Sequence, residues 1–177
     1  MSGNEVKRVL YWDTCVYLAW LKGEDNGASV NEGIAEAVDE NWDGKLLIVT
    51  STITLTEVLE ATLTDEQEEK FQQSFRKQLH CLRDVDPAVA VKARDFRGSF
   101  TAPNSKKLSM PDAIHLATAA IYKCDEFWTM DGGGKSNKFV GLLELNEDPR
   151  IDGLKVKAPY PKNPALFGPG AAGPVTS

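Results

Sequence analysis

The residues of this chain best suited to chemistry are four acids: Asp13, Glu57, Asp112 and Asp131. Asp13 closes the apolar run "VLYW" and Asp131 closes "EFWTM"; Glu57 lies in "TLTEVLE", just after "KLLIVTS", and Asp112 opens "DAIHLATAAIYK". A carboxylate beside a buried strand loses hydration, and several in one poorly solvated cleft cannot all ionise without compensation. Hard divalent cations supply it. Mg2+ takes oxygen ligands and keeps several waters, so a few carboxylates plus a substrate phosphate satisfy it. Such a site can activate a water and stabilise the charge of a phosphodiester under attack. The acids are far apart in sequence, so folding has to assemble the cluster.

Each acid also has an ordinary explanation. Asp112 stands three residues after Ser109, the place of the acid in a capping box. Asp131 begins "DGG", common turn chemistry. Glu57 can be a solvated helix residue, as Glu60 is read to be. Asp13 is the hardest of the four to explain structurally. Asp25, Asp39, Asp43 and the acids of residues 65–69 read as solvent-facing. The only histidines are His80 and His115. His115 follows Asp112 by three residues and could share its helix face, but a satisfied packing histidine is the simpler reading. Nothing in the sequence suggests a nucleophilic triad, and "GGGK" at 132–135 lacks the spacing of a phosphate loop.

These acids need elements to position them. "VLYW" (9–12) reads as a strand buried on both faces, followed by a helix over 14–22. Residues 30–42 place Val30, Ile34, Val38 and Trp42 on one helical face. A strand over 45–51 and a helix over 54–63 follow. Thr64 and Gln67 form a capping box opening a helix with the stripe Phe71, Phe75, Leu79 and Leu82. A short strand is expected around 81–85. Asp86 with Pro87 starts a helix carrying Val89, Ala93, Phe96 and Phe100. Ser109 starts another, "DEFWTMD" is a strand, and "LKV" (154–156) is the last. The alternation predicts an α/β sandwich with a mostly parallel sheet. Sites in such sheets form at the carboxyl ends of strands, where Asp13 and Asp131 fall.

A chain of 177 residues with 42% apolar content fits one domain, here residues 1–158, and a Pro/Gly-rich C-terminal tail, residues 159–177. The net charge of −6 argues against a basic, non-specific nucleic-acid binder but not against an acidic site that holds cations. No run approaches the roughly 18 apolar residues of a membrane span, and the N-terminus has no signal-peptide core, so a cytoplasmic protein is expected. Cys15, Cys81 and Cys124 are odd in number and widely spaced, unlike a disulfide framework or zinc site.

Three segments together resemble the PIN domain, and most closely the VapC-type toxin ribonucleases of bacterial toxin–antitoxin pairs. They are "YWDTCVYLAWL", "TSTITLTEVLE" and "MPDAIHLATAAIYKCDEFWTMD", and the resemblance spans about residues 8–157. It implies a PIN-like three-layer α/β sandwich with a mostly parallel central sheet of four or five strands. It also implies an endoribonuclease dependent on Mg2+ or Mn2+ that hydrolyses RNA with a metal-activated water. Asp13, Asp112 and Asp131 would then ligate metal, Glu57 would complete the cluster or hold the water, and Thr129 would orient the last acid. The implied partners are RNA, a small antitoxin protein and a second copy of the chain, with Phe71, Phe75 and Leu79 as a candidate dimer surface. Lys106, Lys107, Arg97 and Lys135 are candidates for phosphate contacts. The chain departs from the family in having Met130 where many members have Asn, Gly132 to Gly134 where a further Asp is common, and Cys15 in place of a serine.

Other chemistries fit less well. An aspartyl-phosphate phosphatase wants an acid two residues after Asp13, where Cys15 stands. A phospho-acceptor domain wants an acidic pair before the strand, and "KRVLYW" has none. A non-catalytic PIN-like module that binds RNA or protein remains an alternative.

Overall fold

The first apolar run forms the middle of the sheet. In the computed structural model, which describes residues 7–23, 25–59, 63–77, 79–133 and 138–162, β1 (Arg8–Trp12) lies between β2 (Leu46–Ser51) and β4 (Glu126–Trp128). Beyond them lie β3 (His80–Arg83), beside β2, and β5 (Val156–Lys157), beside β4. Every pairing is parallel. The helices are α1 (Thr14–Lys22), α2 (Ala28–Trp42), α3 (Ile53–Leu59), α4 (Asp65–Arg76), α5 (Pro87–Gly98) and α6 (Met110–Ile121). Side chains alternate across the sheet. Leu10 and Trp12 enter a core with Tyr17, Ile34 and Phe71, from α1, α2 and α4. Tyr11 points the other way, to Val89, Phe96 and Leu116 of α5 and α6. Apolar residues on both faces make "VLYW" and "LLIV" continuous runs. The expected α/β sandwich is thus present, with five strands among the described residues, all parallel. No helix among the described residues is long and apolar enough to cross a membrane.

The helix starts follow local chemistry. Gln67 N donates to Thr64 Oγ1 at 3.3 Å and Thr64 N to Gln67 Oε1 at 2.9 Å, a complete capping box. Asp86 caps α5 ahead of Pro87, and Ser109 caps α6.

Several expectations need correction. Trp42 is 60% exposed and is not part of the apolar face of α2. Asn41 turns inward instead, because its Nδ2 donates to the Leu46 and Leu79 carbonyls at 3.0 and 2.8 Å. Phe71 is core, packed edge-on against Tyr17, while Phe75 and Leu79 of the same stripe are half-buried. The helix expected over 54–63 begins at Ile53 and runs to Leu59, and residues 60–62 lie outside the described residues. β4 stops at Trp128, which leaves Thr129, Met130 and Asp131 in the turn that follows.

The first residues of the Pro-rich segment dock onto the domain. The Tyr160 hydroxyl donates to Glu126 Oε1 at 2.8 Å, and an added Cβ at Gly33 would overlap the Tyr160 backbone. Residues 163–177 lie outside the described residues. Glu126 also accepts from Arg8 at 2.6 Å, Lys157 at 3.0 Å and Trp128 Nε1 at 3.0 Å. Burial pushes this carboxyl up, but the hydrogen bonds from Lys157, Trp128, Tyr160 and Arg8 outweigh it and hold it at about 2. A depressed carboxyl stabilises the fold above its ordinary value of 4.5, and that stability is lost as the pH falls toward about 2. Glu126→Gln should therefore melt below the wild type at neutral pH, with the gap closing through that acid window in thermal melts. A gap that persisted in strong acid would assign the loss to packing.

Candidate active site

Parallel pairing of β1 with β4 brings their carboxyl ends together, and Asp13 N donates to the Trp128 carbonyl at 3.0 Å. Asp13 is the N-cap of α1: Thr14 N donates to its Oδ1 at 2.7 Å. Its Oδ2 accepts from the Thr129 hydroxyl at 2.8 Å and from the Cys15 thiol at 3.2 Å. Burial pushes that thiol well up and the Asp13 charge adds to the shift, so it keeps its proton and donates. Asp13, judged hardest to explain structurally, therefore has a structural duty as well. An Asp directly before a helix start is the signal that carried it.

Thr129 links two acids. Its hydroxyl donates to Asp13 and accepts from Asp131 N at 3.1 Å. The Asp131 carboxylate faces a turn: Oδ1 accepts from Gly133 N at 3.0 Å and Oδ2 from Leu142 N at 3.3 Å. Its carbonyl accepts from Leu143 N at 3.0 Å. The turn closes tightly, since a Cβ added at Gly141 would overlap the Gly133 backbone. Gly141→Ala should force the two backbones apart and lose about 1–3 kcal/mol, the range for overpacking, read as a lower urea midpoint. An unchanged midpoint would mean that the turn yields freely.

Asp112 sits in the first turn of α6. Its amide donates to Ser109 Oγ at 3.2 Å, and the Ser109 hydroxyl donates back to Oδ2. Among the described residues nothing donates to its Oδ1. Burial pushes this carboxyl up, and the charges of Asp13 and Asp131 push it further; together they outweigh Ser109 and His115.

Glu57, on α3, accepts through Oε2 from His115 Nε2 at 2.8 Å and from the Thr14 hydroxyl. Burial pushes its carboxyl up, but these hydrogen bonds and the His115 charge bring it below the ordinary value. His115 Nε2 is also 3.6 Å from Asp13 Oδ1. The residue joining Glu57 to Asp13 is thus one that sequence reasoning read as packing. Its spacing three residues beyond Asp112, on one helix face, was the available signal. Of the phosphate-contact candidates, Lys106 pairs with Glu144 at 2.8 Å, Lys107 and Arg97 are exposed, and Lys135 lies outside the described residues.

Asp112 therefore feels the charge of Asp13 and Asp131, and Glu57 connects to Asp13 through His115. Among the described residues no group of three or more His, Cys, Asp or Glu side chains is arranged to hold a metal ion by itself. The donor chemistry still suits a hard cation. Every candidate ligand is a carboxylate, and Mg2+ needs only one or two of these beside its own waters. A divalent cation would also offset the charges that raise Asp112.

A family model for the PIN domain matches residues 10–137. Three solved structures share the fold. VapBC2 from Rickettsia felis, bound to a DNA fragment from its promoter, aligns with TM-score 0.56 at 11% identity, over 85% of this chain and 98% of that one. DNA-bound VapBC from Salmonella typhimurium gives TM-score 0.54 at 18% identity, with 85% and 98% covered. FitAcB from Neisseria gonorrhoeae gives 0.53 at 19%, with 85% and 97% covered. No curated protein matches the chain. The family match takes in most of β1, the whole of β4 and all four acids, and the chain belongs to the PIN domain family.

Proposed function

We propose that this chain is a Mg2+- or Mn2+-dependent endoribonuclease that acts in the cytoplasm as the toxin of a VapC-type toxin–antitoxin pair. PIN domains are generally nucleases. What supports the reading is that Asp13 and Asp131 follow neighbouring parallel strands and are joined through the Thr129 hydroxyl, with the charge of both felt at Asp112.

Asp13, Asp112 and Asp131 would hold the metal, with Glu57 beside them. A bound divalent cation lowers the pKa of water and offsets charge on the phosphate. The chain's own residues hold the acids ready. Thr129 and the Thr14 amide orient Asp13, Ser109 orients Asp112, and the Gly133 and Leu142 amides orient Asp131. Glu57 would complete the cluster or hold the attacking water.

An unrestrained ribonuclease harms its own cell, so a small antitoxin is the natural partner. An arginine of that partner could pair bidentately with these carboxylates and keep metal and phosphate out. Pairing of two copies of the chain is part of the same reading.

The test is an RNA cleavage assay on the purified chain. Cleavage in Mn2+ that stops in EDTA supports the reading. Intact RNA in Mn2+, with RNA or protein still bound, would favour the non-catalytic binding module.

A further inference from the structure

Beneath the acids lies a buried polar chain that the proposed reaction does not yet use. The Tyr11 hydroxyl stands 2.7 Å from His115 Nδ1, and His115 Nε2 stands 2.8 Å from Glu57 Oε2. Tyr11 is wholly buried and His115 is 1% exposed, whereas the Glu57 side chain is 28% exposed. The chain therefore runs from the core out to an accessible carboxylate.

Its sense is fixed by donors and acceptors. A phenol keeps its proton at neutral pH, and the Tyr11 hydroxyl is within hydrogen-bond reach of Nδ1. That proton goes to Nδ1, so a neutral ring carries its own proton on Nε2 and donates it to Glu57; a charged ring donates there as well. The Thr14 hydroxyl donates to the same oxygen. Oε2 is thus held twice, while among the described residues nothing donates to Oε1.

We propose, building on the nuclease reading, that Tyr11 and His115 are positioning residues that anchor Glu57 by one oxygen and leave the other to serve the reaction. The role depends on hydrogen-bond direction, not on the charge of the ring. A purely structural histidine would have no need to end its chain on an accessible carboxylate.

Four full-length proteins test this: wild type, Tyr11→Phe, His115→Asn and His115→Gln. The Gln amide nitrogen reaches the place of Nε2, whereas that of Asn reaches only the place of Nδ1. RNA cleavage is measured at saturating Mn2+, folding by thermal melts, and the imidazole nitrogens by 15N NMR without metal. The spectrum is simple because the chain has 2 histidines. The wild type should show His115 protonated at Nε2, and Tyr11→Phe should lose that preference. Cleavage should fall about 10–100-fold in Tyr11→Phe and His115→Asn, the usual effect of removing a partner behind a metal-site ligand, and His115→Gln should recover much of it. Folded Tyr11→Phe and His115→Asn that cut RNA at the wild-type rate would overturn the role alone, as would a wild-type spectrum with the proton only on Nδ1. A wild type that cuts no RNA overturns the nuclease reading, and the positioning role falls with it.

Discussion

Asp112→Asn is expected to stop RNA cleavage and, in EDTA, to melt at a higher temperature than the wild type. The asparagine keeps the backbone amide that donates to Ser109 and an oxygen that can accept from its hydroxyl, so the start of α6 survives. What disappears is a charge beside Asp13 and Asp131. Burial, with the charges of those two acids, raises the Asp112 carboxyl above its ordinary 3.8. A raised carboxyl favours the fold below its unfolded value and loses that advantage as the pH rises through its folded value. The variant's gain should therefore be largest at neutral pH and vanish below 3.8. Mn2+ should reverse the order, because binding to the native state stabilises only a protein that still has its ligand. Cleavage should drop by more than about 100-fold, beyond the usual effect of losing a supporting partner. Melts and cleavage assays in EDTA and in Mn2+ read all three effects. If the variant melts with the same Mn2+-dependent rise as the wild type, Asp112 is a helix cap and not a ligand.

Sequence reasoning reached furthest where the physics is local or periodic. β1 and β2 are buried on both faces and so stand out as unbroken apolar runs. Thr64 with Gln67, and Asp86 with Pro87, mark helix starts within four residues of chain. Asp13 and Asp131 could be assigned to one crevice because strand ends in a parallel sheet share an edge. The misses depend on partners distant in sequence. Whether Asn41 or Trp42 turns inward is decided by the carbonyls of Leu46 and Leu79, which helical periodicity does not register. His115 looks like packing until Tyr11 and Glu57 arrive from two other elements. Composition marks residues 159 onward as a tail but does not register that Tyr160 meets the Glu126 carboxylate, itself held by Arg8 and Lys157. Asp13 was misjudged for the opposite reason: its chemical promise hid an ordinary local cap.

That dual role makes Asp13 the converse of Asp112. Asp13→Ala should also be inactive, but it should be less stable than the wild type in EDTA. The substitution removes the N-cap of α1, which is about 1 kcal/mol in typical helices. It also takes the acceptor from the Thr129 hydroxyl, which is fully buried. A buried donor left without a partner costs about 1–3 kcal/mol. Less repulsion on Asp112 returns part of this, and the net loss should be about 1–3 kcal/mol by the same magnitudes. Asp13→Asn should fall between the two, since asparagine caps well but turns an amide toward one of Asp13's donors. Urea unfolding in EDTA reads the order: Asp112→Asn above wild type, then Asp13→Asn, then Asp13→Ala, with similar slopes throughout. If Asp13→Ala unfolds at the wild-type midpoint, the bonds from Thr14 and Thr129 contribute nothing net, and the carboxylate is kept for chemistry alone. If the expected order holds, one cluster contains an acid that the apo fold needs and another that it only tolerates, and loss of metal should be felt first at Asp112.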